Sequence, residues 1–173
     1  AFWEKHRQRE QLRLSQALNL ALGASEELDG LPISEIEIEQ EFAQVLDALT
    51  MRRELTLQEP PAGFVGQLRP YQVVGFSWLS FLREHGLGAC LADDMGLGKT
   101  IQAIALLLHQ KEAGLNGGPT LIICPTSLVG NWRREISRFA PRLDVMVHHG
   151  TGRAEGEAFV ERSLAHDVVI STY

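Results

Sequence analysis

The residues that most constrain the chemistry of this chain are Asp93-Asp94-Met95-Gly96-Leu97-Gly98-Lys99-Thr100. Glycines at 96 and 98 permit backbone conformations that turn successive N–H groups towards one point, and a helix beginning there adds the positive end of its dipole. Lys99 can then reach the β- and γ-phosphates of a nucleotide, and the Thr100 hydroxyl can ligate Mg²⁺. The general phosphate-loop formula asks for glycine six residues before the lysine. Asp93 stands there instead, so the match to that formula is incomplete. The plain structural alternative is a glycine turn ahead of a helix.

Other candidates flank this loop. Leu68-Arg69-Pro70-Tyr71-Gln72 opens a helix, and the Gln72 amide can offer its oxygen and NH₂ group to adenine N6 and N7. Taken without its neighbours, Gln72 reads as a solvated helix residue. Thr126 and Ser127 follow a strand pattern and open a helix pattern, so their hydroxyls suit either the helix end or a phosphate. Ser171 and Thr172 fall at the carboxyl end of another strand pattern, the edge where open α/β sheets bind ligands. Trp132 can stack on a base, but its place between Leu128 and Ile136 predicts a core position.

The elements that must position these residues follow from periodicity. Leu14, Leu18, Ala21 and Leu22 recur at helical spacing ahead of Gly23. Ser34 and Glu37 form a capping box with Ile33 and Ile38 as its staple, and Ile38, Phe42, Val45, Leu46 and Leu49 mark one face of a second helix. Its acidic residues Glu35, Glu37, Glu39 and Glu41 gather in the first turns, where the helix dipole favours them. Pro60, Pro61, Gly63 and Gly66 then break the chain, which predicts a helical segment over 1–58 and a second domain over 59–173. In that second part Pro70 starts a helix with Val74, Trp78, Phe81 and Leu82 on one face. Strands are expected at 89–92, 120–124, 145–148 and 168–171, with helices near 98–112, 127–139 and 153–165. This alternation predicts an α/β fold with a parallel sheet covered by helices.

Composition narrows the partners. The net charge is −6, but residues 1–58 hold six basic against eleven acidic side chains, and residues 59–173 hold ten against eleven. Between Pro125 and Arg153 five arginines stand against Glu135 and Asp144, with His148 and His149 nearby, which leaves room for contact with a phosphate backbone. Apolar residues make up 45% of the chain, enough for a core, and the longest unbroken apolar run, Ala103 to Leu108, is six residues. A bilayer crossing needs about 20, and no secretory leader opens the chain, so an intracellular protein with no membrane segment is expected. Cys90 and Cys124 lie in apolar strand patterns, which predicts two small buried residues, not a disulfide or a metal site.

The second part resembles the Swi/Snf group of ATP-dependent DNA translocases, which belong to the helicase-like superfamily with RecA-like lobes. Leu68–Gln72 with Gly75 and Trp78 is similar to that family's adenine-sensing block. Leu91 to Gln102 is similar to its nucleotide loop, in which Asp93 fits and Asp94 stands where Glu is common. Cys124-Pro125-Thr126-Ser127-Leu128 with Asn131, Trp132, Glu135 and Phe139 is similar to the next block, whose first residues touch the DNA backbone in the family. His149-Gly150 with Arg153, and Asp167 through Tyr173, look like the blocks that complete the DNA-facing edge.

The resemblance implies a RecA-like lobe preceded by a helical extension, with ATP and Mg²⁺ as cofactors and double-stranded DNA as partner. It assigns Gln72, Asp93, Asp94, Met95, Gly96, Leu97, Gly98, Lys99 and Thr100 to the nucleotide, Lys99 and Thr100 to catalysis, and Thr100 to Mg²⁺. It assigns Pro125, Thr126, Ser127, Gly150, Ser171 and Thr172 to DNA. It also implies an Asp-Glu pair on a later strand and an arginine finger from a second lobe. Each aspartate here is followed by something other than Glu. The family reading is therefore of the first part of lobe one of a larger translocase, with this chain alone a poor ATP hydrolase. Location would be cytoplasm and nucleoid in a bacterium, or the nucleus in a eukaryote. The alternatives are a non-catalytic nucleotide-binding adaptor that docks a protein through its acidic helices, and another phosphate-loop enzyme such as a small-molecule kinase.

Overall fold

The computed structural model describes Leu18, residues 27–28 and 31–32, Ala43, residues 46–47, Leu49, and residues 55–173 except Asn116. The chain divides into two compact units, Ala1–Glu54 and Leu55–Tyr173. In the first, β1 (Glu27–Leu28) pairs antiparallel with β2 (Leu31–Pro32). Periodicity led us to expect only helices here. The intervening Asp29-Gly30 is a dipeptide suited to a two-residue hairpin connection. Leu18, Ala43, Leu46, Asp47 and Leu49 are helical. The capping box at Ser34 and Glu37 and the acidic run to Glu41 lie outside the described residues.

In the second unit α1 spans Pro70–Glu84, with proline in its first turn, where the missing N–H costs nothing. α2 spans Lys99–Glu112, β3 Thr120–Ile123, α3 Thr126–Phe139, β4 Val145–His148, α4 Gly156–Leu164 and β5 Val168–Ser171. The three strands form one parallel sheet in the order β3-β5-β4, with Ile123 and His148 both level with Ser171. Because the strands are parallel, their carboxyl ends share one edge. Val168, Val169 and Ile170 of the central strand are all buried, as a strand covered on both faces requires. Each such side chain contributes about 1.5–3 kcal/mol on leaving water. Ile104 and Leu108 of α2, Val129 and Ile136 of α3, and Leu143 join Val168 and Ile170 in one core, with Trp132 packed against it.

Two expectations are corrected. Residues 89–92 form no strand, and Cys90 is exposed, whereas Cys124 is buried. An apolar tetrapeptide becomes a strand only beside a hydrogen-bonding partner, and none of the described strands pairs with this one. The buried face of α1 is also displaced from the one expected. It carries Gln72, Phe76, Ser77, Leu79, Ser80 and Leu82, while Val74 is 47% exposed. Counting apolar residues missed this face because two serines and a glutamine make up half of it, and α1 packs against α2.

Candidate nucleotide site and nucleic-acid interface

The loop ahead of α2 is built around two glycines in the left-handed region, Gly96 at φ +86° and Gly98 at φ +81°. Other L-residues pay about 1–2 kcal/mol for that conformation. Gly98, the N-cap of α2, is required for space as well. A Cβ there would lie 2.5 Å from Gln72 Nε2 and 3.0 Å from Ile101 Cγ2, whereas one on Gly96 would meet nothing. The first N–H groups of α2 have no intrahelical acceptor, which is the geometry that binds a phosphate.

Lys99 donates from Nζ to the carbonyl oxygens of Asp93 and Asp94, at 2.5 Å and 3.0 Å. These are neutral acceptors, so the ammonium charge is held over the loop without a carboxylate partner among the described residues. The Thr100 side chain makes no hydrogen bond among the described residues, which leaves its hydroxyl available to a cation. The donor set of backbone N–H groups, one ammonium and one hydroxyl fits a Mg-nucleotide. Met95 is 97% exposed at the tip of the loop.

Gln72 is not a solvated helix residue. It is buried, its Oε1 accepts from the Arg69 N–H at 2.9 Å, and its Nε2 donates to the Leu97 carbonyl at 3.0 Å. The side chain therefore ties the start of α1 to the phosphate loop, and each end of the amide keeps one further bonding position for a base.

Asp93, the departure from the general formula, also has a partner. The wholly buried Gln102 donates from Nε2 to Asp93 Oδ2 at 3.1 Å. Room for that amide comes from Gly75 on α1, where a Cβ would stand 1.9 Å from Gln102 Oε1. Both Gly75 and Gln102 belong to the blocks of the resemblance, but their contact is not legible in spacing.

Pro125, Thr126 and Ser127 follow β3, Gly150 follows β4 at φ +98°, and Ser171 and Thr172 close β5, so all six gather at the carboxyl edge of the sheet. The Cys124 N–H donates to the Ser171 carbonyl at 3.0 Å and locks two of these segments together. Pro125 is the N-cap of α3, with no side-chain cap hydrogen bond. Thr126 and Ser127 are exposed and their hydroxyls bond nothing among the described residues, so capping does not account for them.

Asp167 lies at the opposite edge. Its Oδ2 accepts from Lys111 Nζ at 2.6 Å and from the Asp144 N–H at 2.7 Å, and its carbonyl accepts from the Thr120 N–H at 2.8 Å. It fastens the starts of the three strands and is structural.

Comparison with known proteins bears on this arrangement. Residues 71–173 match the model of the SNF2-related domain, which takes in the phosphate loop and every residue of the carboxyl edge just described. The chain belongs to that family. It is 48% identical over 139 residues to the protein named "Putative ATP-dependent helicase/translocase YwqA" of Bacillus subtilis, covering 80% of this chain and 15% of that protein. It is 39% identical over 122 residues to the ISWI chromatin-remodeling complex ATPase ISW1 of Saccharomyces cerevisiae, covering 69% of this chain and 11% of that protein. Among solved structures, the SWI2/SNF2 ATPase core of Sulfolobus solfataricus in complex with dsDNA superposes with a TM-score of 0.59 at 42% identity, over 68% of this chain and 24% of that one. The SNF2 chain described here thus spans less than a quarter of each of these relatives, and its fold is the RecA-like fold of the SNF2 core.

Proposed function

We propose that this chain is the ATP-binding part of a Swi/Snf-type DNA-dependent ATPase and translocase. Gly96, Gly98 and the first turn of α2 bind the β- and γ-phosphates, Lys99 swings from the Asp93 and Asp94 carbonyls to the phosphate oxygens, and Gln72 meets adenine. Thr100 holds Mg²⁺, which when bound neutralises charge between the β- and γ-phosphates. Pro125, Thr126, Ser127, Gly150, Ser171 and Thr172 contact the phosphates of duplex DNA, a role that fixes position without reading sequence. The observation that best supports this reading is the convergence of Gln72, Gly98 and Lys99 on a single loop, from two helices, with Lys99 paired to no carboxylate among the described residues.

The 173 residues contain no Asp-Glu pair to orient an attacking water, so on this reading the chain binds nucleotide but turns it over poorly by itself. The same reading places the protein with chromosomal DNA inside the cell. Lys99→Ala in the intact protein is expected to abolish DNA-stimulated ATP hydrolysis, measured as phosphate release. Turnover at the normal rate would refute the assignment.

A further inference from the structure

His148 and Ser171 are the last residues of neighbouring parallel strands and stand level in the register. The imidazole reaches in two directions. Its Nδ1 lies 3.2 Å from Ser171 Oγ, and its Nε2 lies 2.9 Å from the carbonyl oxygen of Ala154, in the loop that joins β4 to α4. The ring packs at a tilt of 51° against Phe159 of α4, with ring centroids 4.5 Å apart. A carbonyl only accepts, so Nε2 carries a hydrogen; in the neutral ring Nδ1 is then the acceptor for the Ser171 hydroxyl.

The Ser171 oxygen also lies 3.2 Å from the His148 carbonyl and 3.5 Å from the Thr172 carbonyl, so its one proton has three acceptors within reach. Which acceptor takes it sets the direction in which the remaining lone pairs face. The ring is the group that selects between these arrangements, and the same ring anchors the loop that carries Gly150 and Arg153. His148 is half-buried. A ring needed only to fill the space beside Phe159 would not require either nitrogen.

We propose that His148 is a positioning residue for the DNA-facing edge: its two nitrogens hold the Ser171 hydroxyl and the loop bearing Gly150 and Arg153 at a fixed separation. This rests on the reading of that edge as a DNA-backbone surface. His148 does not itself touch the phosphate. It acts by keeping the β5 end and the β4–α4 loop in the one arrangement that meets successive phosphates, so that less ordering remains to be done on binding.

Binding of a fluorescein-labelled DNA duplex by the intact protein, followed by anisotropy, tests this with three substitutions. His148→Phe keeps the ring against Phe159 and removes both polar contacts, and is expected to weaken binding about tenfold, the loss of one or two hydrogen bonds. His148→Asn places an amide near the Nδ1 position and His148→Gln near the Nε2 position, so each keeps one contact and is expected to fall between wild type and His148→Phe. Space-filling alone predicts the reverse ranking, with Phe best, and that result would overturn the proposal. As a second arm, Ser171→Ala is expected to weaken binding in the wild-type background and to weaken it by a smaller factor in the His148→Gln background, where the Ser171 hydroxyl is no longer oriented by the ring. Full additivity would also overturn it. Wild-type protein that does not bind the duplex would refute the DNA reading itself, a result distinct from binding that is indifferent to His148.

Discussion

Gln102, with no solvent exposure, donates through Nε2 to Asp93 Oδ2 at 3.1 Å, and its other amide atom occupies the space a side chain at position 75 would need. One buried amide thereby connects α1, the phosphate loop and α2. Its Oε1 has no hydrogen-bond partner among the described residues. A buried polar group left in this state costs about 1–3 kcal/mol, so the contact is retained at the expense of stability.

Gly75→Ala follows directly. The added methyl overlaps Gln102 Oε1, and the amide must leave Asp93. Alanine returns up to about 1 kcal/mol of helix propensity, while the overlap costs about 1–3 kcal/mol, so the net loss of stability is expected to be about 1 kcal/mol. The larger expected effect is on nucleotide affinity, because the loop loses its tether. In a Gln102→Ala background the overlap is gone, and the same substitution is expected to stabilise by up to about 1 kcal/mol. Thermal unfolding and Mg-ADP titration of the four proteins of this cycle measure the coupling.

The two loop glycines are expected to respond differently to alanine. Gly96→Ala meets open space and carries only the conformational cost of about 1–2 kcal/mol. Gly98→Ala carries that cost and also displaces Gln72, whose bond to the Leu97 carbonyl must break. Urea unfolding is expected to rank Gly98→Ala as the more damaging by about 1 kcal/mol or more. Equal losses would contradict a steric role for Gln72.

At the far edge of the sheet Asp167→Ala removes one acceptor from both Lys111 and the Asp144 N–H. A loss of about 1–3 kcal/mol is expected. Lys111→Ala is expected to cost about 1 kcal/mol or less, since its side chain is 37% exposed and the pair is screened by solvent. Denaturant midpoints give the comparison. A larger loss for Lys111→Ala than for Asp167→Ala would contradict the role given to Asp167.

The order of helices and strands from Pro70 onward was legible because hydrophobic spacing changes there between the helical and strand periods. The strand segments at 145–148 and 168–171 match the spans expected from sequence, and that at 120–123 ends one residue short of its own. The segment at 89–92 was misread because composition shows that a stretch can be a strand but not whether a partner lies beside it. The face of α1 was misread because Gln72, Ser77 and Ser80 are buried there, and a count of large apolar residues passes over them. The glycine-rich loop ahead of α2 was legible in residue types. Its internal wiring was not, since the Gln72–Leu97 and Gln102–Asp93 contacts join residues 25 and 9 positions apart through side-chain directions that only the fold sets. Thr126 and Ser127 were ambiguous in the sequence between capping and ligand contact. With Pro125 as the N-cap, the capping alternative lapses.

The central claim is that Lys99 and its loop form a nucleotide pocket. Calorimetric titration of the purified protein with Mg-ADP, beside Lys99→Ala of matched secondary structure, tests it most directly. Saturable binding by wild type that is lost in Lys99→Ala is the expected result. Binding of equal affinity by both proteins would contradict the account.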